Sequence, residues 1–252
     1  MSNFPDSKKI ELMREGGRKL AQILLTLEKT AQPGVNFLAI ERLAWKLIDK
    51  AGGYPSFARV PGYSWATCLN LNDGLVHGVP RDYLARSGDL LNIDIGMFYK
   101  GYHTDCAKSF IVGNAEKFPG KMAFLAAGCK ALAESIKLAY SDNRVGQISA
   151  KIEEVVKRNG FKTTNNYTGH GVGAKLHQPP SIPCIAPQQL EKTPLLSYDM
   201  TIAVEVIYMM GKRQTRVEKD GWTVKTADGS VAACFEKTIA VGKDKPLVLT
   251  DW

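Results

Sequence analysis

The chain has 252 residues, of which 44% are apolar and 23% are charged, so it is long enough to bury a sizeable core. This composition argues against a disordered or fibrous protein. Its 33 Lys and Arg residues outnumber its 25 Asp and Glu residues and give a formal net charge of +8. Such a surplus indicates either attraction to a polyanion, such as nucleic acid or an anionic membrane, or an ordinary soluble surface with a basic bias.

Four amphipathic helices are predicted, in two pairs. Apolar residues recur at helical spacing, and glycine ends the second and the fourth helix. The predicted helices cover about residues 8–29, 37–51, 122–140 and 147–159.

Two strands are predicted after each helix pair, at residues 90–95 and 105–112 and again at 201–210 and 231–241. The repeated order suggests an internal duplication, with halves of about 1–120 and 121–252. Because no Gly/Ser-rich linker or low-complexity tract separates the halves, we predict a single α/β domain over residues 1–252.

The cysteines and the start of the chain predict the compartment. Five widely scattered cysteines without a Cys-x-x-Cys pair are typical of reduced cytosolic thiols. The first residues lack the apolar core of a secretory signal, and no apolar run reaches the ~18 residues of a membrane span. We therefore expect a cytoplasmic protein with no membrane partner.

A predicted hairpin brings two aspartates together. Asp94 lies in the alternating apolar stretch Asn92-Ile-Asp94-Ile-Gly96, and Lys100-Gly101 is typical of a turn. If the turn is centred between Tyr99 and Lys100, Asp94 faces Asp105 directly across the hairpin. Adjacent buried carboxylates need a compensating cation, whereas exposed aspartates that merely flank a turn need none.

Two glutamates and one histidine extend this cluster. Glu205 and Glu236 each lie inside an otherwise apolar strand, with apolar or small residues on the same face by period-two counting. Glycines on both sides of His170 allow another group to approach its ring closely. Four carboxylates and one imidazole would suit two neighbouring manganese, iron or cobalt ions better than the zinc of a cysteine site.

These residues resemble the type I methionine aminopeptidases, a family of pita-bread-fold metallopeptidases. The resemblance covers nearly the whole chain, in an order that is strongly specific even though no single motif is. The matching pieces are Ile10-Glu-Leu-Met-Arg-Glu-Gly-Gly-Arg18, Gln32-Pro-Gly-Val35, Val76-His77-Gly78-Val-Pro80, Asn92-Ile-Asp94, Asp105, Gly169-His170-Gly-Val-Gly173 with His177, Glu205, Lys219-Asp-Gly-Trp222-Thr-Val-Lys-Thr226 and Glu236-Lys-Thr-Ile239.

The resemblance implies a fold and a set of residue roles. The fold is the pita-bread α/β fold, with duplicated helix-helix-strand halves and a mainly antiparallel curved sheet. The implied ligands of two divalent ions (cobalt, manganese, iron or zinc) are Asp94, Asp105, His170, Glu205 and Glu236, with Asp105 and Glu236 bridging the ions. Glu205 would also be the general base and acid.

The resemblance also implies a substrate site. His177 would hydrogen-bond the scissile peptide and His77 would position the incoming peptide. Tyr63, Cys68, Leu176 and Trp222 would form the apolar pocket for methionine, although simple core packing explains Cys68 and Trp222 equally well.

The chain departs from the usual family pattern at several positions. Val206 replaces a proline, Lys237 a histidine and Leu176 a phenylalanine, and residues 56–61 diverge beside the pocket. Because Val206 and Lys237 point to the opposite sheet face from the neighbouring glutamates, we expect metal binding to survive.

The expected activity is metal-dependent removal of N-terminal methionine from newly made chains, favouring small second residues. We expect a monomer whose basic surface contacts the ribosome transiently. One alternative is a relative with the same fold that cleaves before proline or acts on another small amide. Another is a catalytically silent protein that binds RNA or the ribosome through its basic surface, although such a protein would be free to lose the ligands that this chain keeps.

Overall fold

Four α-helices flank the sheet in the computed structural model, which describes Phe4 and residues 7–252. They are α1 (Lys8–Thr30), α2 (Phe37–Lys50), α3 (Pro119–Ile136) and α4 (Val145–Arg158). The four predicted helices are therefore confirmed, with shifted ends. The largest shift is in α3, which begins with Pro119 in its first turn, where a missing N–H is tolerated.

Thirteen strands lie in the described part of the chain. They are β1 (Tyr54–Pro55), β2 (Thr67–Leu71), β3 (Gly74–Val76), β4 (Leu90–Tyr99), β5 (Tyr102–Ile111), β6 (Lys162–Thr163), β7 (Thr168–Gly171), β8 (Gln178–Pro183), β9 (Thr201–Met209), β10 (Thr215–Val217), β11 (Val224–Thr226), β12 (Ala232–Ala240) and β13 (Leu247–Val248). The main sheet has the order β1-β4-β5-β12-β9-β7-β8, with β2, β6 and β13 attached to β4, β9 and β12. A smaller sheet has the order β10-β11-β3.

Each helix pair buries apolar residues against part of the sheet. Leu24 of α1 and Ile40 of α2 pack in one cluster with Ile93 of β4. Phe124 of α3 packs in a second cluster with Val206 of β9. Because side chains alternate along a strand, this packing leaves the opposite face of the sheet free for polar side chains.

The turn of the β4–β5 hairpin differs from the predicted one. Tyr99 pairs with Tyr102, so the turn is formed by Lys100 and Gly101. Their φ angles are 47° and 93°, the left-handed pair that a two-residue hairpin turn requires. The prediction that centred the turn between Tyr99 and Lys100 is therefore wrong.

This turn shifts the register of the two aspartates. Asp94 pairs with Ala107, and Asp105 pairs with Gly96. The predicted direct pairing of Asp94 with Asp105 is thus wrong, because the two-residue turn moves the centre of the hairpin. Both carboxylates nevertheless lie on one face as diagonal neighbours.

None of the helices in the described part of the chain is long and apolar enough to cross a bilayer.

Candidate metal centre and substrate cavity

Five polar side chains meet at the centre of the main sheet, one from each of five adjacent strands. Asp94 lies on β4, Asp105 on β5, Glu236 on β12, Glu205 on β9 and His170 on β7. These are the five residues that the sequence predicts as ligands. Consecutive strands thus bring together residues that are far apart in the chain.

The ligand atoms of this cluster lie within a few ångströms of one another. His170 Nε2 is 3.5 Å from Glu205 Oε1, 3.9 Å from Asp105 Oδ2 and 4.0 Å from Glu236 Oε1. One carboxylate oxygen each from Asp94, Asp105 and Glu236 lies within 4.8 Å of the others. Glu205 and Glu236 form a directly opposed pair between β9 and β12.

Burial perturbs all four carboxyl groups. Loss of solvent raises the pKa of Asp94 to about 7. It also raises the pKa of Asp105, Glu205 and Glu236 well above the usual range, and the charge of nearby carboxylates raises each further. Without a cation, the cluster therefore holds protons that solvated carboxyls would release at neutral pH.

Unpaired oxygens in the cluster fit a bound cation. Asp94 Oδ1, Asp105 Oδ1 and Glu236 Oε1 are buried and have no hydrogen-bond partner among the described residues. Buried polar atoms are normally paired, so these three oxygens are suited to bind a cation. Carboxylate oxygens with one imidazole form a donor set that manganese, iron and cobalt accept.

His170 is oriented for ligation. Its Nδ1 lies 2.9 Å from the carbonyl oxygen of Gly171, which can only accept a hydrogen bond, so Nδ1 carries the proton. Burial lowers the pKa of His170 to about 4, so the ring is neutral near pH 7. The lone pair on Nε2 therefore faces the carboxylates.

Two further histidines, His77 and His177, line the cavity that opens onto the cluster. The His177 ring centroid lies 4.4 Å from that of His170. His77 has a left-handed backbone, with a φ of 57°. The next residue is held in place, because Gly78 N donates to Asn70 Oδ1 at 2.8 Å.

The apolar end of the same cavity is lined by Tyr63, Cys68 and Trp222, three of the four residues that the resemblance assigns to a pocket. The Tyr63 and Trp222 rings pack edge to face, 5.1 Å apart. Leu176 packs in the same apolar cluster but does not line the cavity itself.

Sequence reasoning missed Phe57, Val60 and Val76, which also line the cavity. Phe57 and Val60 lie in the divergent segment 56–61, so no family motif marks them. Val76 precedes His77 in the Val-His-Gly motif, and its place beside His77 could have indicated that it lines the cavity.

Comparisons with known proteins place the chain in a family. The model of metallopeptidase family M24 matches residues 11–243. The chain belongs to metallopeptidase family M24. Among members with curated names, a methionine aminopeptidase of Aquifex aeolicus is 37% identical over 97% of this chain and 96% of its own. One from Clostridium perfringens is 34% identical over 97% of both chains.

Solved structures of the family have the same fold. The methionine aminopeptidase of Thermotoga maritima superposes with a TM-score of 0.93 at 32% identity over the whole of both chains. A prolidase from Pyrococcus furiosus matches 99% of this chain and 65% of its own, with a TM-score of 0.76 at 18% identity, which shows a shared fold alone. The resemblance to methionine aminopeptidases and the pita-bread fold are thereby confirmed, and membership of family M24 implies a divalent metal.

Proposed function

We propose that this protein removes the N-terminal methionine from peptides and newly made proteins by metal-assisted hydrolysis, favouring a small second residue. The observation that carries the proposal is a single cavity with the five-residue cluster at one end and an apolar pocket at the other. An aminopeptidase needs this arrangement, because the first side chain must be held while its peptide bond is cut. The curated methionine aminopeptidases that the chain resembles support the proposal.

Asp94, Asp105, His170, Glu205 and Glu236 would hold two divalent ions. When bound there, such ions would supply a water of lowered pKa, a contact for the substrate amine and polarisation of the scissile carbonyl. Four carboxylates and one imidazole are enough ligands for two ions. These ligand types are the basis for proposing manganese, iron, cobalt or zinc.

Glu205 is the general base and acid in this proposal. It takes the proton that the attacking water loses and delivers it to the leaving amine. Burial raises the pKa of Glu205 in the metal-free protein, and bound cations would offset this by favouring the ionised carboxylate that accepts the proton. Its carboxylate lies 3.5 Å from His170 Nε2 and lines the cavity, which supports this role.

His177 and His77 act on the substrate backbone. His177 donates a hydrogen bond to the scissile carbonyl as negative charge develops on its oxygen. His77 holds the incoming peptide near the leaving amine. Both rings line the cavity beside the carboxylate cluster, which supports both roles.

The pocket selects the first side chain. Tyr63, Cys68 and Trp222 offer an apolar surface that suits the flexible thioether of methionine. Leu176 supports this surface from the same apolar cluster.

The setting of the reaction is also part of the proposal. The protein acts as a cytoplasmic monomer on emerging chains, and its five free cysteines fit a reducing compartment. Lys157, Lys162, Lys212 and Arg213 line a surface groove that offers phosphate groups of the ribosome a basic contact. Salt-dependent co-sedimentation with ribosomes tests this contact.

A comparison of two peptides tests the proposed function. The protein loaded with manganese, cobalt or iron is expected to release methionine from Met-Ala-Ser and to leave Ala-Pro-Ser intact. Cleavage of Ala-Pro-Ser in preference to Met-Ala-Ser would instead favour the activity before proline. RNA binding without hydrolysis of either peptide would favour the catalytically silent alternative.

A further inference from the structure

Of the four histidines in the chain, His103 is the one that has no role in the proposed reaction. It is buried, with 5% of its surface exposed, on the same face of β5 as Asp105. Its Nδ1 is 2.8 Å from Ser56 Oγ, a hydrogen bond between two buried side chains. This bond joins the sheet to the start of the segment 56–61, which we call the cavity wall.

Ser56 anchors the cavity wall at its first residue. Its backbone N donates to Gly96 O at 2.8 Å. Ser56 also packs closely on β4, because a Cβ atom at Gly96 would lie only 2.8 Å from Ser56 Cβ. The Ser56 side chain is thus fully buried against β4, with its hydroxyl directed at His103.

The residues that follow Ser56 shape the cavity. Phe57 and Val60 both line it, and Phe57 packs with Tyr63 and Cys68. A displacement of Ser56 would therefore move two of the side chains that surround the first residue of a substrate.

The cavity wall also rests on the ring next to His103. The Arg59 guanidinium lies 4.2 Å from the centroid of the Phe98 ring, and that ring lies 4.8 Å from His103. The imidazole is thus packed between the sheet and the wall, and it is hydrogen-bonded to the wall through Ser56.

The backbone of His103 makes a separate hydrogen bond. Its N donates to Gly173 O at 2.8 Å, in the loop between His170 and His177. A change of the His103 side chain leaves this backbone bond in place. The side chain can therefore be tested without cutting the link to that loop.

We infer that the hydrogen bond between Ser56 and His103 fixes the cavity wall, and that His103 is thereby a positioning residue for selection of the first substrate side chain. This inference rests on the proposed function. It predicts an effect on substrate affinity and selectivity rather than on turnover, because the wall contacts the side chain and not the scissile bond.

Two substitutions break the bond from either side. In the metal-loaded protein, His103→Phe and Ser56→Ala are each expected to raise KM for Met-Ala-Ser about tenfold with little change in kcat. The ratio of kcat/KM for Met-Ala-Ser to kcat/KM for Leu-Ala-Ser is expected to fall in both variants. The double variant should be no worse than either single one, because both remove the same contact.

Two further variants serve as rescue and control. His103→Asn places an amide near the position of Nδ1 and is expected to restore the selectivity. Ser149→Ala removes another buried hydroxyl, one without a hydrogen-bond partner in the described chain, and should leave KM unchanged.

Calorimetric titration with manganese separates this role from an effect on Asp105, two residues along the strand. Unchanged manganese affinity together with the shift in KM supports the inference. A fall in kcat or in manganese affinity with the selectivity intact would overturn it, and so would variants that match the wild type. A wild-type protein that releases no methionine would contradict the proposed function itself.

Discussion

Individual acidic residues inside apolar strands are the strongest functional signal in this chain. Glu205 and Glu236 have no local reason to lie in such strands, and the structure places them directly opposite each other. A sequence can reveal residues of this kind because a buried carboxylate needs compensation. It could not reveal Phe57 or Val60, because an apolar residue in a loop resembles any other core residue.

Glu205→Gln tests the proposed proton transfer. We expect kcat for methionine release to fall at least about 100-fold, because the amide cannot accept the proton. The fold should persist in the metal-free protein, where the raised pKa of Glu205 already favours the neutral carboxyl. Circular dichroism and thermal unfolding check the fold.

The exposed Glu191 provides the matched control for this substitution. Glu191→Gln makes the same chemical change outside the cavity and should keep full activity. Activity of Glu205→Gln equal to that of this control would rule out the assigned role.

At the scale of elements, long periodic segments could be predicted and short ones could not. The helices α1 and α2 match their predicted ranges to within one residue at each end, because their apolar faces repeat over several turns. Strands of two or three residues, such as β1 and β10, carry no readable alternation. They exist because a neighbouring strand offers an edge to pair with, which is the long β4 for β1 and the equally short β11 for β10.

The hairpin register shows the same limit. Several turn centres fit the pattern near Lys100 and Gly101, and backbone conformation chooses between them. Asp94 and Asp105 still share a face because the register differs from the predicted one by an even number of residues. The predicted partner was wrong, while the predicted proximity was right.

Gly101→Ala tests the turn on which the hairpin depends. Gly101 has a φ of 93° and open space around it, so the substitution is penalised by backbone strain alone. An L-residue in this conformation costs about 1–2 kcal/mol, which lowers Tm by about 2–8 °C in a chain of this size. Differential scanning calorimetry measures this shift.

Gly120→Ala is the matched comparison. Gly120 also has open space around it but lies in α3 without a positive φ. Alanine should be neutral or stabilising there, because it favours helix. If both variants unfold at the same temperature, the turn conformation is not what Gly101 provides.

At the scale of the whole molecule, the net charge of +8 conceals a negative centre. The basic residues are on the surface, whereas four carboxylates share one buried cluster. The total charge suggested a polyanionic partner. The buried carboxylates instead indicate that the centre of the protein binds cations. The sequence could supply the residues of the cluster, but only the order of the strands shows that they meet.

The cluster should make metal binding depend on pH. In the metal-free folded protein the pKa of Asp94 is raised from 3.8 to about 7, so the folded state holds a proton that the unfolded chain has lost. This contribution to stability is present at low pH and disappears as the pH rises through 7. Metal must displace such protons, so it should bind more tightly at higher pH.

Thermal unfolding with manganese or with a chelator measures this effect. The increase in Tm on adding manganese is expected to be larger at about pH 7.5 than at about pH 5.5. An increase that is equal at both values, or larger at the lower one, would contradict ligation by these carboxylates.

The most direct test of the central claim is methionine release from Met-Ala-Ser by one preparation, measured after chelation and again after reloading. We expect no release from the chelated protein and restored release with manganese, cobalt or iron. Release that is indifferent to chelation, or no release with any of these metals, would contradict a metal-dependent methionine aminopeptidase built on the five-residue cluster.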